Sequence, residues 1–355
     1  MKKIIFSILA CLLCNALQGQ TISGTIYDAK TKETIPGAAI YLNGTTMITT
    51  SDAQGRFTLV VNTKINANLV LSHLSYESLI IEKPFDNPTK EFYMQEKVNT
   101  LDVVRVVADR YTRAAKMWVF KQQFLGTGAA GKSCTILNEE DISLNYDYET
   151  NSLIGSASKP IIVENKYLRY RVIFDLHHFC VTYSDKTLNM EEAISISFFG
   201  TSSYVDQSPY NIMYAKRREE TYLRSSQNFW RNFANHTLEE AKFRIYNKFS
   251  QIDPDQYFRM SAELTQKTVT LIPETNLNLK HNSIKEEDVY GVIGVAYKGN
   301  IRSEIVFLTD TFSIDSFGNP DKVNKLMYFG DMGDQRLGDM LPQDFVYVPQ
   351  QGAKR

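Results

Sequence analysis

The sequence predicts a small all-β sandwich followed by an α+β domain with antiparallel strands and one long helix. Between residues 21 and 98, short strand patterns alternate with turn signals about every 8 to 12 residues, which is typical of a sandwich. Over residues 127–355, helical and strand periodicities are mixed. At roughly 150 residues per domain, the length of 355 residues suggests two domains or three.

The composition argues against nucleic acid as a partner and against a membrane span. Lys and Arg number 39 and Asp and Glu number 40, so the basic excess that nucleic-acid binding requires is missing. A hydrophobic fraction of 43% is ordinary for a globular chain. No apolar run reaches the roughly 18 residues of a spanning helix, so we expect no transmembrane span after signal removal.

Residues 1–19 have the pattern of a secretory signal peptide. Met1–Lys3 is basic, Ile4–Leu17 is almost wholly apolar, and small residues follow. Export to the periplasm or the outer membrane is the expected destination. The alternative is a lipoprotein signal with the lipid on Cys11, but its apolar segment would then shrink to residues 4–10, so we favour export without a lipid.

The N-terminal strands are bounded by clear turn signals. The stretch Ile22–Ile26 alternates apolar and polar residues, as a half-buried strand does. Asn43 and Gly44 form a strong hairpin signal, and Ser51–Gly55 is a polar turn that leads into the next strand. The segment 21–98 is therefore predicted to be one β-sandwich.

Four segments of this sandwich carry a family resemblance, namely Ile22–Ile26, Ile35–Ile40, Ser51–Phe57 and His73–Glu77. Together they resemble the carboxypeptidase regulatory-like module, whose fold is a transthyretin-like (prealbumin-like) sandwich. The resemblance implies an accessory, non-catalytic module of Gram-negative envelopes. In that family a Gly-Tyr pair usually occupies the place of Ser75 and Tyr76.

Residues 99–126 are predicted to form a linker strand and a helix. Leu101–Ala108 resembles the strand that joins such modules to the plug of TonB-dependent transporters, and Tyr111–Leu125 has helical spacing that ends at Gly126. The chain after Ala108 is too short for the plug and barrel of a transporter, so we do not expect that function.

The remaining domain, residues 127–355, is predicted from periodicity. Pro209–Phe233 is predicted to be one long helix and Leu238–Tyr246 a second helix. Short segments such as Met340–Pro342 resemble exported proteins that carry the same module and have no assigned reaction. Strand patterns occupy residues 142–148, 153–157, 167–183, 194–199, 269–272, 289–297 and 301–308.

The segment Gly126–Ser133 matches the phosphate-binding pattern G-x-x-x-x-G-K-[ST], with Lys132 in the lysine position. That mechanism needs a strand before the loop and a helix after it. Here a helix precedes the loop, a strand pattern follows it, and the strand that would supply an acid continues past Asp175. We therefore expect a flexible loop of small residues and no nucleotide cofactor.

Two further patterns suggest a metal site and have simpler explanations. His236 and Glu239 fit H-x-x-E, the first half of a zinc-carboxypeptidase site, whose third ligand would have to be His281 or a carboxylate. Thr237 and Glu240 also fit T-x-x-E, a capping box for the second helix, which explains more of the pattern. A glycine precedes each of three clustered acids, whose spacing suits a turn-rich loop better than a calcium loop: Asp331, Asp334 and Asp339.

The cysteines left after signal removal are Cys134 and Cys180. In an oxidising compartment they either form one disulfide or remain two separate buried thiols, and the sequence leaves both alternatives open. His178 and Cys180 fall on one face of a long strand, which predicts a core histidine and a core cysteine rather than a catalytic thiol–imidazole pair. The other residues on that face are Val172, Phe174 and Leu176.

The motifs assign no catalytic, cofactor-binding or metal-binding residue. The basic run Lys216–Arg218 is followed by two glutamates and is predicted to be a solvated helix face. We expect a non-catalytic exported envelope protein that binds an envelope protein or a glycan. The alternative is an exported hydrolase with its site in the C-terminal domain. An acid–base pair in a deep pocket would favour the hydrolase, and an exposed apolar patch would favour binding.

Overall fold

The structure is a computed structural model that describes residues 20–97, 110–261, 263, 266–273, 275–282, 284–299 and 301–347. The chain divides into two compact units, one of residues 1–43 and 47–100 and the other of residues 44–46 and 101–355. The predicted signal peptide, the linker strand Leu101–Ala108 and residues 348–355 lie outside the described residues.

The first unit contains two sheets in a sandwich-like arrangement, as the fold class predicts. Its strands are β1 (Gln20–Asp28), β2 (Ala39–Leu42), β3 (Ile48–Thr50), β4 (Arg56–Val61), β5 (Leu69–His73), β6 (Tyr76–Ile81) and β7 (Glu91–Met94). One sheet has the order β4-β1-β7 and the other has the order β3-β2-β5-β6. Residues alternate between exposed and buried along β4, so its phenylalanine and leucine enter a core that includes Ile26 and Ile40.

One part of the second unit is a helix packed on a six-stranded sheet. The elements are α1 (Arg113–Leu125), α2 (Ala129–Lys132), β8 (Cys134–Ile136), β9 (Ile142–Asp147), β10 (Ser152–Ala157), β11 (Ile161–Asn165), β12 (Tyr170–Tyr183) and β13 (Ala193–Asp206). The sheet order is β8-β11-β12-β10-β9, and β13 runs along the whole of β12. Phe120 and Phe124 of α1 pack on the sheet residues Phe179 and Phe174, which closes this core.

The rest of the second unit packs two sheets around a short helix. The elements are α3 (Ile212–Leu223), α4 (Ser226–Ala234), β14 (Phe243–Asn247), β15 (Ser250–Gln251), β16 (Phe258–Met260), β17 (Gln266–Leu271), β18 (Gly291–Tyr297), β19 (Ile301–Phe307), β20 (Thr311–Asp315) and β21 (Leu326–Gly330). The sheets have the orders β15-β14-β18-β19-β21 and β16-β17-β20. Trp230 of α4 is fully buried at the centre, and its indole N–H donates to the Tyr328 hydroxyl at 2.8 Å.

The predicted long helix Pro209–Phe233 is wrong, because the chain breaks it into α3 and α4. Ser225 lies at the break, and its side chain accepts a hydrogen bond from the backbone N–H of Asn228. A serine at this position caps a new helix instead of continuing the old one. The two short helices can then bury different faces, with Tyr222 buried on α3 and Phe229 and Trp230 on α4.

The predicted second helix Leu238–Tyr246 is also wrong. Residues 238–242 form turns, Lys242 has a φ of +66°, and the strand β14 follows. Within β14, Phe243 and Ile245 are buried and Arg244 is exposed, which is strand alternation and not helical spacing. The Thr237 hydroxyl bonds to Asn232, so the capping box that was to start this helix does not form.

Candidate binding surface

A β-bulge in β12 decides which residues face away from the core. The pairing of β12 with β13 shifts between Leu176 and His178, so His177 is an extra residue in β12. Before the bulge the buried residues include Phe174 and Leu176, and after it they are Phe179, Val181 and Tyr183. His178 and Cys180 therefore lie on the face opposite the core, and the prediction of a core histidine and a core cysteine is wrong.

The face opposite the core carries a small aromatic and polar cluster. The ring of His178 stacks on Phe199 of β13 at 5.2 Å between centroids and 21° between planes. Its Nε2 atom lies 2.9 Å from the Ser197 hydroxyl. Phe199 is 61% exposed, and Ile154 of β10 is exposed on the same face. The cluster thus combines apolar surface with hydrogen-bonding groups.

The bulge residue itself pairs with an acid. The His177 Nε2 atom lies 3.7 Å from Asp175 Oδ2, and this neighbouring carboxylate raises the pKa of His177. The edge of the Phe199 ring meets the His177 ring at 6.4 Å and 88°. The Phe199 ring therefore lies beside two imidazoles, that of His177, which is next to a carboxylate, and that of His178, which is next to a hydroxyl.

The strand β13 leaves one edge of the six-stranded sheet open. Among the described residues, no strand pairs with its outer side over Ile194–Gly200, which we call the β13 edge. From Ala193 to Val205 the sequence has no charged residue and no proline. Native edges are usually blocked by charges, prolines or bulges. This edge has no charge or proline, and its one register shift lies at Ile194, its first residue, so the stretch from Ser195 to Gly200 is chemically suited to pair with another strand.

The two cysteines are free and far apart. Cys134 in β8 pairs with Asn165, which pairs with Tyr170 at the start of β12, and Cys180 lies ten residues further along β12. At about 3.3 Å per residue the separation is about 30 Å, far above the roughly 6 Å that a disulfide spans. The structure therefore holds two separate thiols. Burial raises the pKa of the Cys134 thiol to about 12, so it is unreactive.

The segment that matches the phosphate-binding pattern is a close-packed turn between two helices. The helix α1 ends just before Gly126, and Ala129–Lys132 is the short helix α2 rather than the expected flexible loop. An added Cβ on Gly131 would lie 2.3 Å from the Gly126 carbonyl oxygen, and one on Gly338 would lie 2.6 Å from the Gly131 Cα. Close packing of the backbone explains why these positions are glycines. In addition, the helix α1 stands where a phosphate loop would need a strand.

An acid also lies beside that turn. The Asp339 carboxylate lies beside Gly126 and Gly128, and burial raises its pKa. A carboxylate that faces the loop would repel a phosphate if it ionised. The other two acids of the glycine-flanked group, Asp331 and Asp334, are exposed in turns. Within the part of the chain that the structure describes, no three His, Cys, Asp or Glu side chains could hold a metal ion.

The H-x-x-E segment forms an acid–base pair at the surface. His236 has a φ of +56°, and its Nδ1 atom lies 3.1 Å from Asp255 Oδ1, with both side chains more than half exposed. The pair lies where two depressions of about 550 and 600 Å³ meet, one of which also contains Glu239. His281 is elsewhere, against the ring of Phe329 at 4.0 Å, so it is no third ligand.

The prediction of a solvated helix face at Lys216–Arg218 is wrong for Arg218. This residue is buried rather than solvated, and its guanidinium donates two 2.7 Å hydrogen bonds to Asp206 at the end of β13. It also donates to the Leu168 carbonyl oxygen at 2.8 Å and lies 4.0 Å from the ring centroid of Tyr170. This pair fixes α3 to the sheet.

Comparison with known families identifies the class of the N-terminal sandwich. Residues 22–106 match the CarboxypepD_reg-like domain, so this part of the chain is a carboxypeptidase regulatory-like domain, as its sequence predicts. No curated protein matches the chain. None of the helices in the described ranges is long and apolar enough to cross a membrane.

Proposed function

We propose that the chain is a non-catalytic exported envelope protein that binds an extended segment of an envelope partner protein along the β13 edge. The observation that carries the proposal is the open, uncharged edge Ile194–Gly200. A partner strand would satisfy the free backbone N–H and C=O groups of this edge by strand addition. Ile194 and Phe199, which are 68% and 61% exposed, would contact side chains of that strand.

The chemistry of the edge favours a protein strand over a glycan. Sugars are held by aromatic platforms and polar side chains, and the β13 edge offers one exposed ring, that of Phe199. An edge without charge fits a partner segment without charge, because a charged residue placed opposite it would lose hydration and gain no ion pair. The partner segment is therefore expected to be extended, uncharged and partly apolar.

The proposed address rests on the signal pattern of residues 1–19 and on the carboxypeptidase regulatory-like domain. Fractionation of the native host and sequencing of the mature N-terminus test it. We expect the chain in the envelope fraction without Lys2. A cytoplasmic chain with an intact N-terminus would overturn the proposed address.

Site-specific photocrosslinking tests the binding surface. A photoreactive phenylalanine analogue at Phe199 should give a discrete protein adduct in the envelope, and one at Ile154, on an inner strand of the same sheet, should not. Ile194→Lys should abolish the adduct from position 199, because a charge would oppose the incoming strand. Ile154→Lys is the matched control and should retain it. Equal adducts from both positions would refute strand addition at the edge.

The second candidate is an exported hydrolase, and the His236–Asp255 pair is the observation that favours it. An aspartate on Nδ1 orients an imidazole for general-base work. Among the described residues, however, no hydrogen bond joins His236 to a serine, threonine or cysteine hydroxyl or thiol, so it could activate only a water. Ester or amide hydrolysis that disappears in His236→Asn and persists in His281→Asn would make the chain a hydrolase.

A further inference from the structure

The start of α3 carries large apolar side chains that the described chain leaves uncovered. Tyr210 is 96% exposed, Ile212 is 78% exposed and Met213 is 51% exposed. Single exposed apolar residues are common on protein surfaces, but three within four positions require a reason. We call Tyr210–Met213 the tip.

Hydrogen bonds at the start of α3 and further along this helix fix the position of the tip. The Asn211 side chain accepts a hydrogen bond from the Met213 backbone N–H at 3.0 Å and begins α3. Further along the same helix, the buried Arg218 joins α3 to Asp206 through two hydrogen bonds. The apolar side chains are therefore presented at a fixed helix end, and the loop cannot fold them inward without breaking this pair.

Three cationic side chains lie near the base of the tip. The guanidinium carbons of Arg169 and Arg217 lie 5.7 and 5.5 Å from the ring centroid of Tyr214. Lys216 is exposed on the same helix. No ion pair among the described residues joins any of these three to a carboxylate. We call Arg169, Lys216 and Arg217 the collar.

The acids near the collar leave it with a positive balance. Asp206 is already paired with Arg218, and Glu219 accepts a hydrogen bond from the Tyr347 hydroxyl at 3.1 Å. Glu220, one turn beyond Lys216, is the exposed acid of the helix. An apolar helix end next to several cations is the arrangement expected for a segment that contacts an anionic lipid surface, since the apolar groups enter the acyl region and the cations stay at the headgroups.

We propose that the tip inserts into the surface of an anionic lipid bilayer, with the collar at the level of the headgroups. Tyrosine is well suited to the boundary between headgroups and acyl chains, which is where Tyr210 would lie. The charge of the collar selects an anionic membrane over a neutral one. This lipid contact is independent of the proposed strand binding, because it uses none of the residues of the β13 edge.

Fluorescence quenching by lipids with brominated acyl chains tests the insertion. Tyr210→Trp places a reporter in the tip, and Phe249→Trp, at a hairpin residue that is 100% exposed, is the matched control. With vesicles of phosphatidylglycerol and brominated phosphatidylcholine, we expect a blue shift and loss of emission for Tyr210→Trp in the full chain. The Phe249→Trp variant should show the emission of the wild type and, in addition, the emission of one tryptophan that the brominated lipid does not quench.

Vesicle binding by further variants separates the apolar and the cationic contributions. Ile212→Ser should lower the partition coefficient about tenfold, the loss expected when one large apolar side chain leaves the membrane. Lys216→Gln should lower it about fivefold on anionic vesicles, whereas Lys132→Gln, at another exposed lysine, should leave it unchanged. Unquenched Tyr210→Trp, equal quenching at positions 210 and 249, or equal losses for Lys216→Gln and Lys132→Gln would overturn the proposal.

Discussion

Replacing Arg218 tests whether one buried ion pair holds α3 on the sheet. Methionine is the substitution of choice, because its side chain is long and flexible and fills much of the same space without a charge. Arg218→Met leaves the Asp206 carboxylate without its guanidinium and leaves the Leu168 and Arg169 carbonyl oxygens without this donor. The change therefore removes a partner from each of three acceptors at once.

The size of the effect follows from the burial of the two side chains. Removing one partner of a buried ion pair costs about 3–5 kcal/mol, because the other charge stays buried and uncompensated. Arg218 is 6% exposed and Asp206 is 26% exposed, so water can partly hydrate the remaining carboxylate. We therefore expect the lower end of that range, about 3 kcal/mol of unfolding free energy. Asp206→Asn in the same background should recover part of the loss.

Urea unfolding followed by tryptophan fluorescence measures this loss. Both tryptophans, Trp118 and Trp230, belong to the second unit, so the signal reports the unit that contains the pair. Lys216→Met, on the exposed side of the same helix, is the control and should change the free energy by less than about 0.5 kcal/mol. If Arg218→Met and Lys216→Met unfold at the same urea concentration, the assignment of Arg218 as the anchor of α3 is refuted.

Three further predictions concern the packed turn and the bulge. Gly131→Ala should destabilise the second unit by more than about 2 kcal/mol, because its Cβ would meet backbone atoms, whereas Gly128→Ala, whose nearest contact is 3.6 Å away, should be neutral in the same urea assay. Lys132→Ala should leave nucleotide titrations with Mg²⁺ unchanged in calorimetry, and micromolar binding that this variant abolishes would restore the phosphate-loop hypothesis. The pKa of His177 is raised by Asp175, so its stabilisation is complete below the unfolded value near 6.5 and is lost as pH rises through the folded pKa. Asp175→Asn should therefore destabilise the chain more at low pH than at high pH, and equal losses at both would contradict this linkage.

Local patterns predicted the parts of the fold that depend on alternation and turns. The strand pattern 167–183 corresponds to β12, the helix predicted from Tyr111 corresponds to α1, and the sandwich follows its turn signals. These elements bury one face of a regular repeat, so the sequence carries their period directly. The helix that precedes the motif segment Gly126–Ser133 is likewise visible in the sequence, because Tyr111–Leu125 has helical spacing.

The wrong predictions have a common physical cause. In each case tertiary contacts determine the local structure, and the local sequence pattern does not show those contacts. Ser225 is compatible with a helix interior, and only its hydrogen bond to Asn228 turns it into a cap. The two glutamates that follow Arg218 suggest a solvated helix face. The burial of Arg218 instead depends on its ion pair with Asp206, which lies in β13 and not on the same helix. The β13 edge had a sequence signal that was overlooked, namely the uncharged run from Ala193 to Val205.

Deleting single residues of β12 tests the bulge that directs His178 away from the core. His177 is extra, so its deletion leaves Leu176 inward, His178 outward and Phe179 inward, and the strand becomes regular. The ladder with β13 keeps its partners, and the chain should fold with a modest loss of stability. Deletion of Cys180 removes a residue from the regular part of the strand instead.

That second deletion must exchange the two faces for the rest of the strand. Val181 and Tyr183, which are buried, would point outward, and the hydroxyl of Thr182 would enter the core. Two large side chains lose about 1.5–3 kcal/mol of burial each, which is enough to unfold a domain of ordinary stability. Tryptophan fluorescence and thermal melts of both deletion variants measure the contrast. Since both variants lose one residue from the same strand, equal destabilisation would mean that His177 is an ordinary strand residue and that the outward position of His178 has another cause.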